Sequence, residues 1–139
     1  MKKQYTDEHA AAGVTAELPE IETWANQFEN EYEIEIVQPE FTSVCPKTGL
    51  PDHGTITLRY VPDERCVELK SLKMYWLAYR NLGIFQENIV NKFLADVVKY
   101  ADPIWAEVEG DFTPRGGIGT VIRAAYERKT KKKGGKRGR

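Results

Sequence analysis

The sequence predicts an α+β fold, in which two helices cover one face of an antiparallel sheet in the order ββααββ. Four segments alternate apolar and polar residues at the period of two that a half-buried strand requires. Two segments in the middle of the chain instead carry apolar residues at helical spacing. Because both helices fall in one block, an α+β sheet is favoured over a doubly wound parallel one.

The first two strands are predicted over residues 32–37 and 54–60, where apolar side chains alternate with charged or polar ones. Pro39 is expected to end the first strand. Residues 40–53 then form a connection of about 14 residues, well above the roughly two to five of a hairpin loop. Connections of that length in compact domains tend to be functional or disordered, and this one contains Cys45.

The first helix is predicted over residues 68–80, before Gly83, and the second over residues 85–100, before Pro103. The second helix has the more regular amphipathic pattern. The first is expected to bury one apolar stripe, made of Leu69, Leu72, Trp76 and Tyr79. A further short helix is predicted over residues 19–28, with Ile21, Trp24 and Phe28 on one side.

The last two strands are predicted over residues 104–112 and 119–126, with turn residues over 113–117. Four strands of about seven residues cannot close a barrel, which needs about eight strands. Both edges of the sheet stay open and invite pairing with another copy of the chain. The sequence therefore predicts an oligomer.

Three segments are predicted along the chain: a loosely ordered arm over residues 1–20, a single domain over 21–126 and a basic, disordered tail over 127–139. The whole chain has 20 Lys and Arg against 21 Asp and Glu. The tail contains eight basic and one acidic side chain, so the other 126 residues carry a net charge of −8. An acidic body repels phosphate, which argues against nucleic acid as a partner.

Several protein classes are excluded by composition. No apolar run is long enough to span a membrane, and the N-terminus lacks the apolar core of a signal peptide. Cys45 and Cys66 are too few for a disulfide-stapled secreted domain, although a single bridge between them stays possible. A cytoplasmic protein is therefore expected.

Cys45 is a candidate nucleophile, because it lies in a polar loop with Lys47 and the thiolate is the reactive form of cysteine. Asp52, seven residues later, would supply or take a proton. Composition alone favours an inert cysteine at a loop end, and Cys66 is expected to be a buried filler. No closed zinc pattern of Cys and His is present, so no metal is expected.

Two further groups of residues suit an anionic or a guanine-like ligand. Lys70 and Lys73 lie three residues apart on the polar face of the first helix, with Ser71 between them. The alternative is a solvated polar face. Glu87, in the first turn of the second helix, either complements the helix dipole or accepts two hydrogen bonds from a guanine-like N–H edge.

Four stretches in series resemble the NADPH-dependent 7-cyano-7-deazaguanine reductases, the nitrile reductases of queuosine biosynthesis, in their short single-module form. These stretches are residues 41–46 with Asp52, residues 68–73, residues 80–81 with 85–87, and residues 112–117. They cover about residues 30–126, in order and at fitting distances. The resemblance implies the tunnelling fold (T-fold), a ββααββ unit that completes its barrel by oligomerising, and the short forms are usually decamers.

The resemblance also implies an activity and its residues. Cys45 would add to the nitrile carbon to give a covalent thioimide, Asp52 would donate a proton to the nitrogen, and two NADPH molecules would supply two hydrides. Substrate contacts are implied for Val67, Glu68, Leu69, Gln86 and Glu87. Cofactor contacts are implied for Lys70, Ser71, Lys73 and, more loosely, Arg115.

One position departs from the family, since Gln86 stands where a histidine often precedes the anchoring Glu87. A glutamine side chain can hydrogen-bond to the substrate but cannot gain or lose a proton, so a binding role is expected for Gln86 and an acid–base role is not. The expected partners are the deazaguanine nitrile and other copies of the chain, with active sites at subunit interfaces of a homodecamer. Two alternatives stay open: a related amidinotransferase acting on the same nitrile on tRNA, which would not need residues 68–73, and a non-enzymatic binding module.

Overall fold

Two helices pack on one face of a four-stranded antiparallel sheet, as the sequence predicts. The computed structural model describes residues 5–128. Its elements are, in chain order, α1 (Asp7–Ala11), β1 (Thr23–Ala25), β2 (Ile34–Val44), β3 (Pro51–Val61), β4 (Arg65–Val67), α2 (Leu69–Leu77), α3 (Gln86–Ala101), β5 (Trp105–Arg115) and β6 (Ile118–Glu127). The larger sheet has the order β2-β3-β5-β6, and a two-stranded sheet pairs β1 with β4.

Alternate residues of the two central strands form the buried face of the larger sheet. They are Gly54, Ile56, Leu58 and Tyr60 in β3, and Ala106, Val108, Gly110 and Phe112 in β5. Gly110 allows α3 to approach closely, because a Cβ there would lie 2.8 Å from Cγ2 of Val90. On the other face, Arg59 pairs with Glu35 at 2.9 Å and with Glu107 at 3.0 Å.

A β-bulge in β2 decides which side chains at the end of that strand face the helices. The register against β3 shifts between Gln38 and Phe41, so Pro39 and Glu40 together oppose one residue of β3. The extra residue turns Phe41 and Ser43 toward the helices, where both are buried. The predicted strand end at Pro39 is wrong, because a bulge accommodates a residue that cannot donate to the ladder.

The connection between β2 and β3 comprises residues 45–50, which is much shorter than the predicted loop over residues 40–53. β2 continues to Val44 and β3 begins at Pro51, so Asp52 lies in a strand. The loop prediction is wrong because the bulge breaks the alternation from which strands are recognised.

Both predicted helices are confirmed, with α2 shorter than expected. The side chains that α2 buries include Leu72, Tyr75 and Trp76. Leu69 is 61% exposed, so the predicted apolar stripe is wrong at that position. α3 ends where Asp102 adopts a left-handed conformation with φ 48°.

Residues 19–28 do not form the predicted helix. Residues Thr23–Ala25 pair antiparallel with β4 instead, with Trp24 opposite Cys66. Ile21 is buried, whereas Trp24 is 50% and Phe28 66% exposed. Of the three apolar residues at helical spacing, only Ile21 enters the core, and backbone pairing with β4 decides the conformation.

Residues 5–20 pack on the body of the protein, in contrast to the loosely ordered arm predicted for this segment. Helix α1 begins with a capping box between Thr6 and His9. The side-chain amide of Asn88, on α3, donates to the carbonyl oxygen of Ala10 at 2.7 Å. Backbone contacts of this kind leave no periodic pattern of apolar residues in the sequence.

β5 and β6 are joined by a tight hairpin at Gly116 and Gly117, whose φ angles are 60° and 82°. β5 extends to Arg115, so the turn is shorter than the predicted 113–117. Within residues 5–128 no helix is long and apolar enough to cross a bilayer.

Arg128 belongs to the body of the protein, although the sequence places it in the tail over residues 127–139. Its Nη1 lies 2.6 Å from Oδ2 of Asp63, and its Nη2 lies 2.9 Å from Oδ1 of Asp102. Both Arg128 and Asp63 side chains are largely buried. Glu127 is the last residue of β6, and residues 129–139 of the predicted tail lie outside the described residues.

Candidate active site

Cys45 lies at one end of the larger sheet, where β2 gives way to the turn over residues 45–50. Its N–H donates to the carbonyl oxygen of Leu50 at 2.9 Å, and its own carbonyl oxygen accepts from the N–H of Gly49 at 2.9 Å. Gly49 has φ 75°, a conformation that favours glycine and allows this tight closure. The turn therefore holds a half-buried thiol in a defined position.

The pKa of the Cys45 thiol lies below its ordinary value. Burial raises this pKa and the charge of Asp52 also raises it, but three hydrogen bonds together lower it by more. They come from the side chain of Thr48 and from the backbone N–H groups of Thr48 and Lys47. Because the thiolate is the nucleophilic form, the turn favours a reactive Cys45.

Asp52 is 7% exposed and lies directly opposite Ser43 in the β2–β3 ladder. Its Oδ1 accepts a hydrogen bond from Nη1 of Arg115, which also donates to the carbonyl oxygen of Pro51 at 3.2 Å. Arg115, predicted as a loose cofactor contact, thus contacts the residue predicted to donate a proton.

The segment between α2 and α3 docks on the same end of the sheet. The N–H of Val44 donates to the carbonyl oxygen of Leu82 at 3.1 Å, and the N–H of Ile84 donates to the carbonyl oxygen of Val44 at 3.0 Å. Half-buried Gln86 and exposed Glu87 begin α3 only two and three residues after Ile84, so the start of this helix lies near the turn of Cys45. The structure therefore gathers five of the predicted residues at this end of the sheet, namely Cys45, Asp52, Gln86, Glu87 and Arg115.

The other predicted substrate contacts, Val67, Glu68 and Leu69, lie toward the opposite end of the sheet. The N–H of Val67 donates to the hydroxyl of Tyr60 at 2.8 Å. Tyr60 follows Asp52 by eight residues in β3, a distance of about 26 Å at the rise of a strand. Within one chain the predicted substrate pocket is therefore divided between two places.

The start of α2 is occupied by a side chain of the chain itself. The carboxylate of Glu68 accepts from the N–H of Lys70 at 3.0 Å and from that of Ser71 at 2.8 Å. The hydrogen bonds from the backbone N–H groups of Ser71 and Lys70 hold the pKa of Glu68 below its usual range. An anionic ligand would have to displace this cap to reach these amides.

The hydroxyl of Ser71 is used inside the chain. It donates to the carbonyl oxygen of Glu68 at 2.9 Å and accepts from the N–H of Glu22 at 2.8 Å. Its geometry does not support the cofactor contact predicted for Ser71. Lys70 and Lys73 are exposed, and their ammonium groups fit an anionic cofactor.

Cys45 and Cys66 are both free thiols and lie at opposite ends of the sheet, which excludes a bridge between them. Cys66 is buried in β4, as the sequence predicts, with its Sγ 3.6 Å from the hydroxyl of Tyr32. Within residues 5–128 no three His, Cys, Asp or Glu side chains are grouped closely enough to hold a metal ion.

The N-terminal segment borders this site, which no pattern in the sequence indicates. The ring of Tyr5 lies 5.9 Å from that of Phe85 and 5.7 Å from Nζ of Lys47. Gly13 has φ 79°, and a Cβ there would lie 2.6 Å from the carbonyl oxygen of Gly83. The sequence signals this contact only through Gly13, and a glycine alone does not indicate what it packs against.

Sequence reasoning also missed Ser43 and Thr48 as contributors to the site. Ser43 gains its place from the register of β2, and Thr48 from the fold of the turn. Ser43 lies in a stretch that carries the family resemblance, which is the one signal that could have drawn attention to it.

Comparisons with known proteins show the family to which this chain belongs. The model of the family described as "QueF-like protein" matches residues 51–131. The chain is 62% identical over 125 residues to the NADPH-dependent 7-cyano-7-deazaguanine reductase of Elusimicrobium minutum, covering 90% of this chain and 95% of the relative. The enzyme of the same name from Chloroherpeton thalassium is 59% identical over 108 residues, covering 77% of this chain and 93% of the relative.

A solved structure, the apo form of an archaeosine synthase QueF-like protein, superposes with a TM-score of 0.63. The match covers 67% of this chain and 91% of that one at 19% sequence identity, so it concerns the fold alone. It confirms the tunnelling fold for the single unit. The sequence identities decide the family, and the chain belongs to the QueF-like proteins, among the NADPH-dependent 7-cyano-7-deazaguanine reductases.

Proposed function

We propose that this protein is an oxidoreductase that uses NADPH to reduce the nitrile of 7-cyano-7-deazaguanine to an aminomethyl group, a step of queuosine biosynthesis. The observation that carries the proposal is the meeting of Cys45, Asp52 and the start of α3 at one end of the sheet. This arrangement occurs in a chain that is 62% identical to a reductase named for that activity.

Cys45 and Asp52 together can convert a nitrile, which accepts hydride poorly, into a more electrophilic group. The Cys45 thiolate forms a bond to the nitrile carbon, and the displaced π electrons take a proton from Asp52 at the nitrogen. The product is a thioimide on Cys45, and Asp52 is left as a carboxylate. The hydrogen bond from Arg115 stabilises that carboxylate. The hydride would come from NADPH held by the cations named below, and two molecules would be consumed for each nitrile.

Glu87 is the proposed anchor for the deazaguanine ring, because a carboxylate can accept two N–H groups from one edge of the base. A ligand at the start of α3 would have no side-chain cap to displace, since the N-cap residue is Phe85. Gln86 beside it would bind the substrate and would not transfer a proton.

Lys70, Lys73 and Arg115 are the proposed contacts for the phosphates of NADPH. All three are exposed and positively charged. Arg115 would then keep Nη1 on Asp52 and offer its other N–H groups to a phosphate oxygen.

The active site is proposed to be shared between two copies of the chain. Val67, Glu68 and Leu69 lie far from Cys45 in their own chain and would complete the site of a neighbouring subunit. Exposed Trp24 and Phe28, close to this second group, suit burial in a contact between copies. We expect the assembly to be the homodecamer implied by the resemblance, with residues 21–126 as its single catalytic domain.

Incubation with the nitrile base and NADPH tests the activity. The wild-type chain should oxidise NADPH, and without NADPH it should form an adduct seen by intact mass. Cys45→Ala should do neither, while Cys66→Ala, the matched control on the inert cysteine, should keep both. An adduct that persists in Cys45→Ala would overturn the catalytic assignment.

The amidinotransferase alternative is not favoured, because the curated relatives are named reductases. Formation of the Cys45 adduct without oxidation of NADPH would contradict the reductase activity and favour the amidinotransferase. A chain that forms no adduct would be the non-enzymatic module.

A further inference from the structure

Ser43 places a buried hydroxyl next to the residue proposed to donate a proton. The residue is 0% exposed, and its Oγ has no hydrogen-bond partner in the part of the chain that the structure describes. Folded proteins satisfy nearly all buried polar groups, because an unmade hydrogen bond costs stability. Such a hydroxyl therefore needs an explanation beyond the packing of the core.

The geometry points to Asp52 as the partner of this hydroxyl. Ser43 and Asp52 are paired across the β2–β3 ladder, so their Cβ atoms lie about 4.5–5.5 Å apart on one face. Arg115 contacts Oδ1 of Asp52 and does not take Oδ2. A serine side chain rotates among three staggered positions, and rotation of Ser43 can bring its Oγ to that second oxygen.

The bulge in β2 is what puts Ser43 on this face. If Pro39 and Glu40 each opposed a separate residue of β3, the ladder would turn Thr42 toward the helices and Ser43 away from them. Thr42 now lies on the opposite side of the strand and is only partly buried. It provides a matched control one residue away from Ser43.

We propose that Ser43 is a positioning residue whose hydroxyl donates to Oδ2 of Asp52 during proton transfer, an inference that rests on the proposed function. When the O–H bond of Asp52 breaks and the N–H bond of the thioimide forms, a carboxylate is left in a buried place. Ser43 and Arg115 then each donate to one of its oxygens. Ser43 keeps its own proton throughout, so it orients and stabilises Asp52 without entering the reaction.

The plainer explanation is that Ser43 is present only because a small residue fits beneath the helices. The two explanations differ for Ser43→Ala. If size alone matters, alanine fits and the reaction continues at its normal rate. If the hydroxyl acts on Asp52, the same change removes an unsatisfied buried group and therefore preserves or raises stability, yet it slows the reaction.

The test measures, in single turnover without NADPH, the rate at which the nitrile base forms the Cys45 adduct. Ser43→Ala should slow this rate about tenfold to a hundredfold, the worth of one hydrogen bond to a charged group. The dissociation constant of the base should stay unchanged, and Tm should stay equal or rise. Thr42→Ala should behave as wild type, and Ser43→Gly, which removes the same hydroxyl, serves if Ser43→Ala does not fold.

A second arm asks whether Ser43 acts through Asp52. In an Asp52→Asn background, Ser43→Ala should cause no further loss, because the group it assists is gone. An unchanged rate in the single variant, or the same loss in both backgrounds, would overturn the inference while leaving the proposed function intact. A wild-type chain that forms no adduct would overturn the proposed function and the inference together.

Discussion

Arg115 donates a hydrogen bond to Oδ1 of Asp52, so the last residue of β5 holds a buried carboxylate near the start of β3. The arginine is much more exposed than its partner. The carboxylate therefore depends on a cation that solvent and an anionic ligand can also reach. This single contact connects the proposed acid to the proposed cofactor site.

Arg115→Met should destabilise the protein by about 1–3 kcal/mol, because it leaves the Asp52 carboxylate buried without its cation. Urea unfolding measures the change in the free energy of unfolding. Arg123→Met is the matched control, since Arg123 is exposed and lies 3.4 Å from Glu109. Equal stability of the two variants would contradict a structural role for the Arg115–Asp52 pair.

Thr48→Val should raise the pKa of the Cys45 thiol. The Thr48 hydroxyl stabilises the thiolate, so its loss lowers the thiolate fraction at neutral pH and moves the alkylation profile to higher pH. The backbone N–H groups of Lys47 and Thr48 remain, so part of the original effect persists. Iodoacetamide labelling against pH measures it, with Thr57→Val as the distant control, and an unmoved profile would refute the assignment.

Gly13→Ala should detach the N-terminal segment from the site. The added Cβ meets the carbonyl oxygen of Gly83 at 2.6 Å and also suffers the strain of φ 79°. We expect a loss of about 2–4 kcal/mol from strain and clash together. Gly49→Ala, which meets only the strain because no atom lies within 4 Å, should lose about 1–2 kcal/mol. Limited proteolysis and Tm distinguish the variants, and equal losses would show that the contact with Gly83 is unimportant.

Removal of residues 129–139 should leave the Tm and turnover unchanged. Removal of residues 128–139 should lower the free energy of unfolding by about 3 kcal/mol. The difference is Arg128, whose loss leaves buried Asp63 without this cation. Thermal unfolding of the two truncated chains measures it. If both truncations have the same Tm, the ion pair does not stabilise the fold.

Cys45→Ala and Glu68→Ala, each inactive alone, should recover NADPH oxidation when their subunits are mixed and exchanged. The recovered sites would combine Cys45 from one chain with Glu68 from another. Cys45→Ala mixed with Asp52→Asn is the control, because both changes lie at the same end of the sheet and cannot complement. Failure of the first mixture, with exchange verified by mass spectrometry, would contradict a shared site.

The element order could be predicted from sequence because apolar periodicity reflects burial, as in α3 and β3. Features that depend on backbone pairing, such as bulges and short edge strands, could not be predicted in this way. Pro39 resembles a strand end but lies in a bulge, and residues 23–25 pair as a strand beside an apparent helical spacing. The sequence pattern likewise places Asp52 in a loop, although it lies in β3.

The residues themselves mark Cys45 and Asp52 as candidates, and the resemblance adds the nitrile chemistry that they would perform. The partners of these residues depend on three-dimensional placement: Thr48 reaches Cys45 through a turn, and Arg115 reaches Asp52 from the neighbouring strand. Sequence spacing contains neither relation. For Ser71 the motif predicts a contact with a ligand, but its hydroxyl instead donates to the carbonyl oxygen of Glu68 at the start of α2.

The bulge in β2 makes the end of that strand tolerant of a change of one residue in length. Because Pro39 and Glu40 together oppose one residue of β3, deletion of either would leave a single residue there, and Phe41 and Ser43 would still face the helices. Pairing of both residues one to one with β3 would instead turn Thr42 inward and Ser43 outward. Natural variation and protein engineering can therefore shorten the strand here by one residue without moving any side chain to the other face of the sheet.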